Sequence, residues 1–173
     1  MGFTPLEGLV MGTRCGDIDP QIILHLMSIE NASVDDINTL LNKKSGLLGL
    51  SGLTNDMRII LKATASGSER AKIALDVFCY RVKKYIASYY GVLNGADAVV
   101  FTAGIGENSP TIREKSCEGL SNLGINIDQS ANSNAFSEER IISSGDSATK
   151  VIVIPTNEEL MIARETVKVL TKR

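Results

Sequence analysis

Ala98-Val99-Val100-Phe101-Thr102-Ala103 is a short apolar run that passes directly into Gly104-Ile105-Gly106-Glu107-Asn108, and Ser109-Pro110 then signals a helix. Glycines at the carboxyl end of a strand let a ligand approach the backbone with no Cβ in the way. The helix that follows offers unpaired N–H groups and the positive end of its dipole. Open α/β sheets bind ligands at this edge. The run has neither the GK[ST] of a P-loop nor the spacing of GxGxxG. It points to a phosphate or a nucleotide; the plainer alternative is a tight strand-to-helix turn that uses glycine only for its dihedrals.

Arg14 lies among Gly12, Thr13, Cys15 and Gly16, a bed without packing partners. An arginine held this way suits clamping a carboxylate or a transferring phosphoryl group; otherwise it is a solvated loop side chain. Glu158 and Glu159 follow Thr156. With Thr156 as N-cap, Glu159 falls at the third helical position and completes a T-x-x-E capping box. The box leaves Glu158 over, and its carboxylate can reach a magnesium ion or the water around it. Asp56 and Arg58 open another helix, where Asp56 can cap and Arg58 can lie on the exposed face.

The elements that must carry these residues follow from periodicity and punctuation. Residues 1–18 are glycine-rich and read as a loop with one short strand, an opening that suggests a piece of a longer protein. Asp19-Pro20 starts a helix to about Asn31, with Ile22, Ile23, Leu26 and Met27 inward and His25 in a structural role. Ser33 to Asp36 starts a second, with Ile37, Leu40 and Leu41 inward. KKSGLLGLSGL reads as loop. Asp56 to about Thr64 is a helix, broken by Ser66-Gly67-Ser68. The longest helix runs from Glu69 to about Leu93, with Ala71, Ala74, Leu75, Phe78, Val82, Tyr85, Ile86 and Tyr89 as its stripe. Residues 98–103 and 151–155 read as strands buried on both faces. Between them come a helix from Ser109-Pro110 to Gly124, a half-buried strand at 125–127, and a polar surface excursion over 128–149. Thr156 to about Thr171 is the last helix. Strands alternating with helices give an α/β class with a partly parallel sheet.

Composition narrows the class. The 173 residues are 43% hydrophobic, enough for a core, and carry 18 basic against 20 acidic side chains. That balance argues against nucleic acid as a partner. No apolar run suits a membrane span, and the first residues lack a signal peptide's regions, so a cytoplasmic location is expected. Cys15, Cys79 and Cys117 are far apart and, with His25 the lone histidine, give no zinc pattern; they read as thiols in a reducing compartment.

Four segments in order, MGFTPLEGLVMGTRCGDIDP, NKKSGLLGLSGLTNDMR, LNGADAVVFTAGIGENSPTIRE and VIPTNEELMIARET, make the chain resemble the C-terminal half of the acetate and propionate kinase family. The resemblance covers nearly all of 1–127 and 151–166. It implies the C-terminal domain of an actin-like, sugar-kinase (ribonuclease H-like) ATPase fold, with an incomplete sheet and flanking helices. Residues 1–155 would be the nucleotide-binding domain, truncated on its N-terminal side. Residues 156–173 would be a helix that packs on the family's N-terminal domain. The implied reaction is magnesium-dependent phosphoryl transfer from ATP to acetate, giving acetyl phosphate and ADP. Propionate as acceptor, or a non-catalytic nucleotide-binding module if Met1 is the true start, are the alternatives. By resemblance Arg14 stabilises the transition state. Asp56, Met57 and Arg58 line the nucleotide site, as do Gly104, Ile105, Gly106, Glu107 and Asn108, with Ile105 against the base. Glu158 helps place Mg2+. A homodimer through this domain is implied as well. The family's N-A-G-S-S-S segment, catalytic Asp, substrate-side Arg, active-site His and H-L-G-N-G hairpin have no match here, which leaves roughly half a catalytic site, inactive in isolation.

Overall fold

The computed structural model describes residues 2–134 and 138–171. The expected excursion over 128–149 and the expected last helix therefore include residues 135–137 and 172–173, which lie outside the described residues. The chain forms two compact units, Met1–Tyr89 and Tyr90–Arg173.

The first unit is helical. Residues 2–18 are turns and bends without the expected strand. Helix α1 (Pro20–Ile29) starts where its signals place it: the Asp19 side chain accepts from Gln21 N, and Pro20 sits where a missing N–H costs nothing. Of the expected inward face, Ile23, Leu26 and Met27 are half-buried and none is fully buried, so the expected burial is corrected in degree. Ile22 is exposed, and so is His25, which has no structural role in a core. Helix α2 (Val34–Lys43) has a full capping box, with Ser33 and Asp36 each satisfying the other's backbone N–H, and it buries Ile37 and Leu41. The segment read as loop contains helix α3 (Gly46–Ser51), whose Leu47 is buried. Two glycines bound it in the left-handed region: Gly46 (φ +64°) enters and Gly52 (φ +66°) caps, with Gly49 inside the helix. Helix α4 (Met57–Ala65) and helix α5 (Glu69–Val92) complete the unit. Ala71, Ala74 and Leu75 of the expected α5 stripe are buried together with Cys79, whereas Tyr89 at its far end is exposed. Full burial of an Ile or Leu such as Ile60 or Leu75 contributes roughly 1.5–3 kcal/mol.

The second unit holds a three-stranded sheet in the order β1-β3-β2. Strand β1 (Ala98–Phe101) pairs parallel with β3 (Lys150–Val153), and β2 (Arg140–Ile141) pairs antiparallel on the other side of β3. The expectation of two strands buried on both faces is corrected. β1 is an edge strand with Val100 exposed, and β3 buries only Val151 and Val153, on alternate positions. Helix α6 (Ala103–Asn108) follows β1 directly and takes up the glycine run expected as a loop. Helix α7 (Pro110–Cys117) is shorter than expected: a 3-10 turn at Ser121–Leu123, closed by left-handed Gly124, intervenes before 125. In place of a strand at 125–127 there is a single bridge between Ile127 and Ser143.

The polar stretch 128–149 is not a surface excursion. It contains helix α8 (Gln129–Ser133) and β2, and it buries Asn132, Ile142 and Thr149 completely or nearly so. Thr149 Oγ1 donates to Ala96 O at 3.0 Å, which satisfies its buried hydroxyl. Helix α9 (Glu158–Thr171) is the last element among the described residues and has no buried residue. Leu160, Val167 and Leu170 are all exposed. The molecule is thus mixed α/β, mainly helical, with a small and partly parallel sheet.

Candidate functional site

In the first unit the backbone around Arg14 is held on every side. Met11 N donates to Arg14 O at 3.1 Å and closes a turn. Cys15 N donates to Leu41 O at 3.0 Å, and Thr13 Oγ1 donates to Asn42 O at 2.9 Å, so the turn is fixed to the end of α2. Leu47 N and Leu48 N donate to Met11 O and Gly12 O, so the start of α3 is fixed to the same turn. This approach requires Gly46: a Cβ there would lie 2.2 Å from Met11 O. The Arg14 side chain is exposed and makes no hydrogen bond or ion pair among the described residues. A pinned backbone with an unpartnered guanidinium is what an arginine needs in order to receive an anion without first breaking another contact.

The base of that loop is closed by Asp17, which sequence reasoning passed over. Gly8 N donates to its Oδ1 at 2.6 Å, and Arg81 Nη2 and Tyr85 Oη donate to its Oδ2 at 2.8 and 2.6 Å. The Tyr85 hydroxyl, more than any other contact, holds the Asp17 carboxyl below the usual carboxylate range. Tyr85 was expected as core stripe; the signal for its second role is an acid at 17 in a glycine loop and a basic–aromatic pair one helical turn apart on α5.

Asp56 and Arg58 meet at the start of α4. The Asp56 side chain caps by accepting from Arg58 N at 2.8 Å and pairs with Arg58 Nη2 at 2.6 Å. The Arg58 guanidinium beside it lowers the Asp56 pKa to about 2. Met57 is buried, so it anchors the helix start from inside. Gly12 lies against Asn55, where a Cβ would come 3.3 Å from Asn55 Cβ. The Arg14 turn and the Asp56–Arg58 cap are therefore neighbours within the first unit.

In the second unit β1 and β3 run parallel, so α6 and the segment leading into α9 leave the sheet at the same carboxyl edge. Ile154 N donates to Phe101 O at 2.9 Å and extends the pairing past the strands. Thr156 then joins the two motifs. Its Oγ1 accepts from Ala103 N at 3.0 Å and forms a hydrogen bond with Thr102 Oγ1 at 2.7 Å. Its N–H donates to Glu107 Oε1 at 2.8 Å. That N–H lowers the Glu107 pKa. Thr156 is consequently not the cap of α9, which corrects the expected T-x-x-E box. Asn157 caps instead, its Oδ1 accepting from Leu160 N at 3.1 Å, and Glu158 and Glu159 stand exposed in the first turn.

Of the glycine run, Gly104 has nothing near its missing Cβ and Ile105 is exposed, whereas Gly106 lies against Phe101. Asn108 Nδ2 donates back to Gly104 O at 2.8 Å. The end of α6 is held by Arg113, which is wholly buried. Its Nη1 donates to Gly106 O and Glu107 O, both at 2.8 Å, its Nε to Asn132 Oδ1 at 2.7 Å and its Nη2 to Asn132 O at 2.8 Å. A cation at a helix C-terminus is favourable, and this one satisfies carbonyls that α6 leaves without partners. Burial lowers the Arg113 pKa to about 10. Sequence reasoning missed Arg113 and Asn132 because each reads alone as an ordinary surface residue.

No group of three acidic, His or Cys side chains suited to a metal occurs among the described residues. Glu158 therefore fits Mg2+ only as a single carboxylate, which suits an ion held chiefly by phosphate oxygens and water. No helix of the described residues is long and apolar enough to cross a membrane.

Residues 1–164 match the model of the Acetokinase family. The acetate kinase of Natranaerobius thermophilus is 57% identical over 172 residues, which are 99% of this chain and 43% of that protein. The crystal structure of Porphyromonas gingivalis acetate kinase is similar with a TM-score of 0.93 at 45% identity, over 98% of this chain and 43% of its own. A propionate kinase from Francisella tularensis subsp. tularensis gives 0.88 at 50% identity, over 95% and 42%. The chain thus spans less than half the length of these relatives.

Proposed function

The chain belongs to the acetokinase family, and we propose that it supplies the nucleotide side of a phosphotransferase that moves a phosphoryl group between ATP and acetate. In that reaction an acetate oxygen attacks the γ-phosphorus in line and the bond to the ADP oxygen breaks, giving acetyl phosphate. Such transfer needs alignment and charge neutralisation more than covalent help from protein. Gly104, Ile105, Gly106, Glu107 and Asn108 would receive the adenosine end, the bare Gly104 edge admitting the ring and Ile105 packing on it. Asp56, Met57 and Arg58 would take the nucleotide-lining role that the family resemblance implies for them. Glu158 would orient Mg2+, which neutralises phosphate oxygens when bound. The fold in this reading is part of an actin-like ATPase. Residues 1–155 serve the nucleotide, and the exposed face of α9 docks on the part of the enzyme that these residues do not span. Homodimerisation through this segment and a cytoplasmic location belong to the same reading; sedimentation that finds only monomer removes the dimer.

The observation that carries the proposal is Arg14, with its backbone fixed by α2 and α3 and its guanidinium unpartnered. Five donors in a planar fork match the metaphosphate-like group in transit. In an enzyme that joins this segment to the rest of an acetokinase, Arg14→Ala is expected to lower kcat on the order of a hundredfold or more. Nucleotide affinity should stay within about twofold, because the contact strengthens in the transition state. Normal turnover in that variant removes the role.

Propionate as acceptor is the second reading, since a solved propionate kinase is 50% identical to this chain; the acetate kinase of Natranaerobius thermophilus, at 57%, supports acetate. The ratio of kcat/KM for the two acids separates the readings.

A further inference from the structure

The turn from β1 into α6 is strained, and the strain has a keeper. Ala103 has φ +58°, a left-handed conformation that is unfavourable for a residue with a Cβ. The neighbouring glycine at 104 does not take up this conformation. Ala103 N–H points to Thr156 Oγ1, which also meets Thr102 Oγ1, while Thr156 N–H reaches forward to the Glu107 carboxylate. One residue thus holds both the entry of α6 and a side chain from its last turn. Two positions later, beyond the Asn157 cap, stands Glu158.

Resting on the reading of this edge as a nucleotide and magnesium site, we infer that Thr156 is a positioning residue that latches the adenosine-binding helix to the metal-orienting carboxylate, so that nucleotide and Mg2+ bind with coupled affinity. The Glu107 carboxylate is then a strut of the latch, spent on Thr156 N–H, and its backbone is what remains for the adenosine edge. The hydroxyl of Thr156 is the essential part, since Val has the same shape and cannot accept from Ala103 N.

The test is a set of ADP titrations of the full 173-residue chain, with and without Mg2+, on wild type, Thr156→Val and Thr156→Ser. The quantity read is the ratio of the two Kd values. In the wild type Mg2+ should tighten ADP roughly fivefold or more, the lower end of ordinary coupling between sites. In Thr156→Val the ratio should fall toward unity, and in Thr156→Ser it should return. A general loss of folded chain weakens both titrations equally and leaves the ratio unchanged, so the ratio separates latching from mere destabilisation. A wild type that shows the Mg2+ effect together with a Thr156→Val chain that keeps it overturns the latch alone. A wild type that does not bind ADP, or binds it equally with and without Mg2+, overturns the site reading on which the latch rests.

Discussion

At the scale of single residues, the site side chains divide by what they already hold. Arg14 and Glu158 carry charge at exposed positions, while Asp56, Glu107 and Arg113 are committed to the protein's own backbone or to each other. Asp56 gives a direct check. Its pKa is depressed to about 2 by Arg58, against about 3.9 in an unfolded chain. Its contribution is therefore present above about pH 4 and is lost as pH falls toward 2. A carboxyl NMR titration should place the Asp56 midpoint near 2, and Arg58→Ala should raise it; an unmoved midpoint would contradict the pairing. At the start of α9 the structure moves an expectation. Because Asn157 caps, Asn157→Ala should cost about 1 kcal/mol of stability, and Glu159→Ala should cost little. Glu158→Ala in a complete enzyme should instead cripple turnover and raise the Mg2+ requirement. A Glu159→Ala enzyme with that phenotype would reverse the assignment. These roles were only half legible in the sequence. Asp56 as a cap was readable, since Asp before a helix is a local signal. Thr156 was not, because its partners at 102, 103 and 107 lie about fifty residues away and a nearby glutamate offered a local use for it.

At the scale of elements, the helix starts were the most readable features, because capping is decided within four residues. The starts of α1, α2, α4 and α7 fall where Asp19, Ser33, Asp56 and Ser109 place them. What failed were elements whose identity is set from elsewhere. The α3 segment carries glycines that read as loop, yet Gly46 is required by the approach of Met11 O and Gly52 by a helix end. The stretch 128–149 looked solvated because Asn132 and Thr149, buried there with Ile142, are polar; their partners, Arg113 for Asn132 and Ala96 O for Thr149, are remote. The Arg113–Asn132 pairing makes α8 a support for α6. Arg113→Met keeps most of the volume but strands Gly106 O, Glu107 O and the Asn132 acceptors in a buried site. It should cost roughly 3 kcal/mol or more, read as a lowered urea midpoint of the second unit. Arg113→Lys should fare nearly as badly, since a point charge cannot make the fork of contacts. A lysine variant with wild-type stability would contradict the role of the guanidinium.

At the scale of the whole molecule, class was legible from the alternation of strands and helices, and family from four ordered segments. The arrangement of the sheet was not: a strand of four residues at an edge reads much like one buried on both faces. The chain spans about 43% of the length of its relatives, and in the proposed reading it brings a transition-state arginine, a magnesium-linked carboxylate and an adenosine edge. The central claim is that these are one side of a divided site. Holding two reactants in line can contribute roughly 7–11 kcal/mol, and one side of a cleft cannot hold both. The direct test is acetyl phosphate formation by the purified 173-residue chain with ATP, Mg2+ and acetate, alone and after mixing with the separately made remainder of an acetokinase. The account predicts no measurable product from the chain alone and turnover on mixing, with the exposed face of α9 as the docking surface. Robust turnover by the chain alone would contradict it.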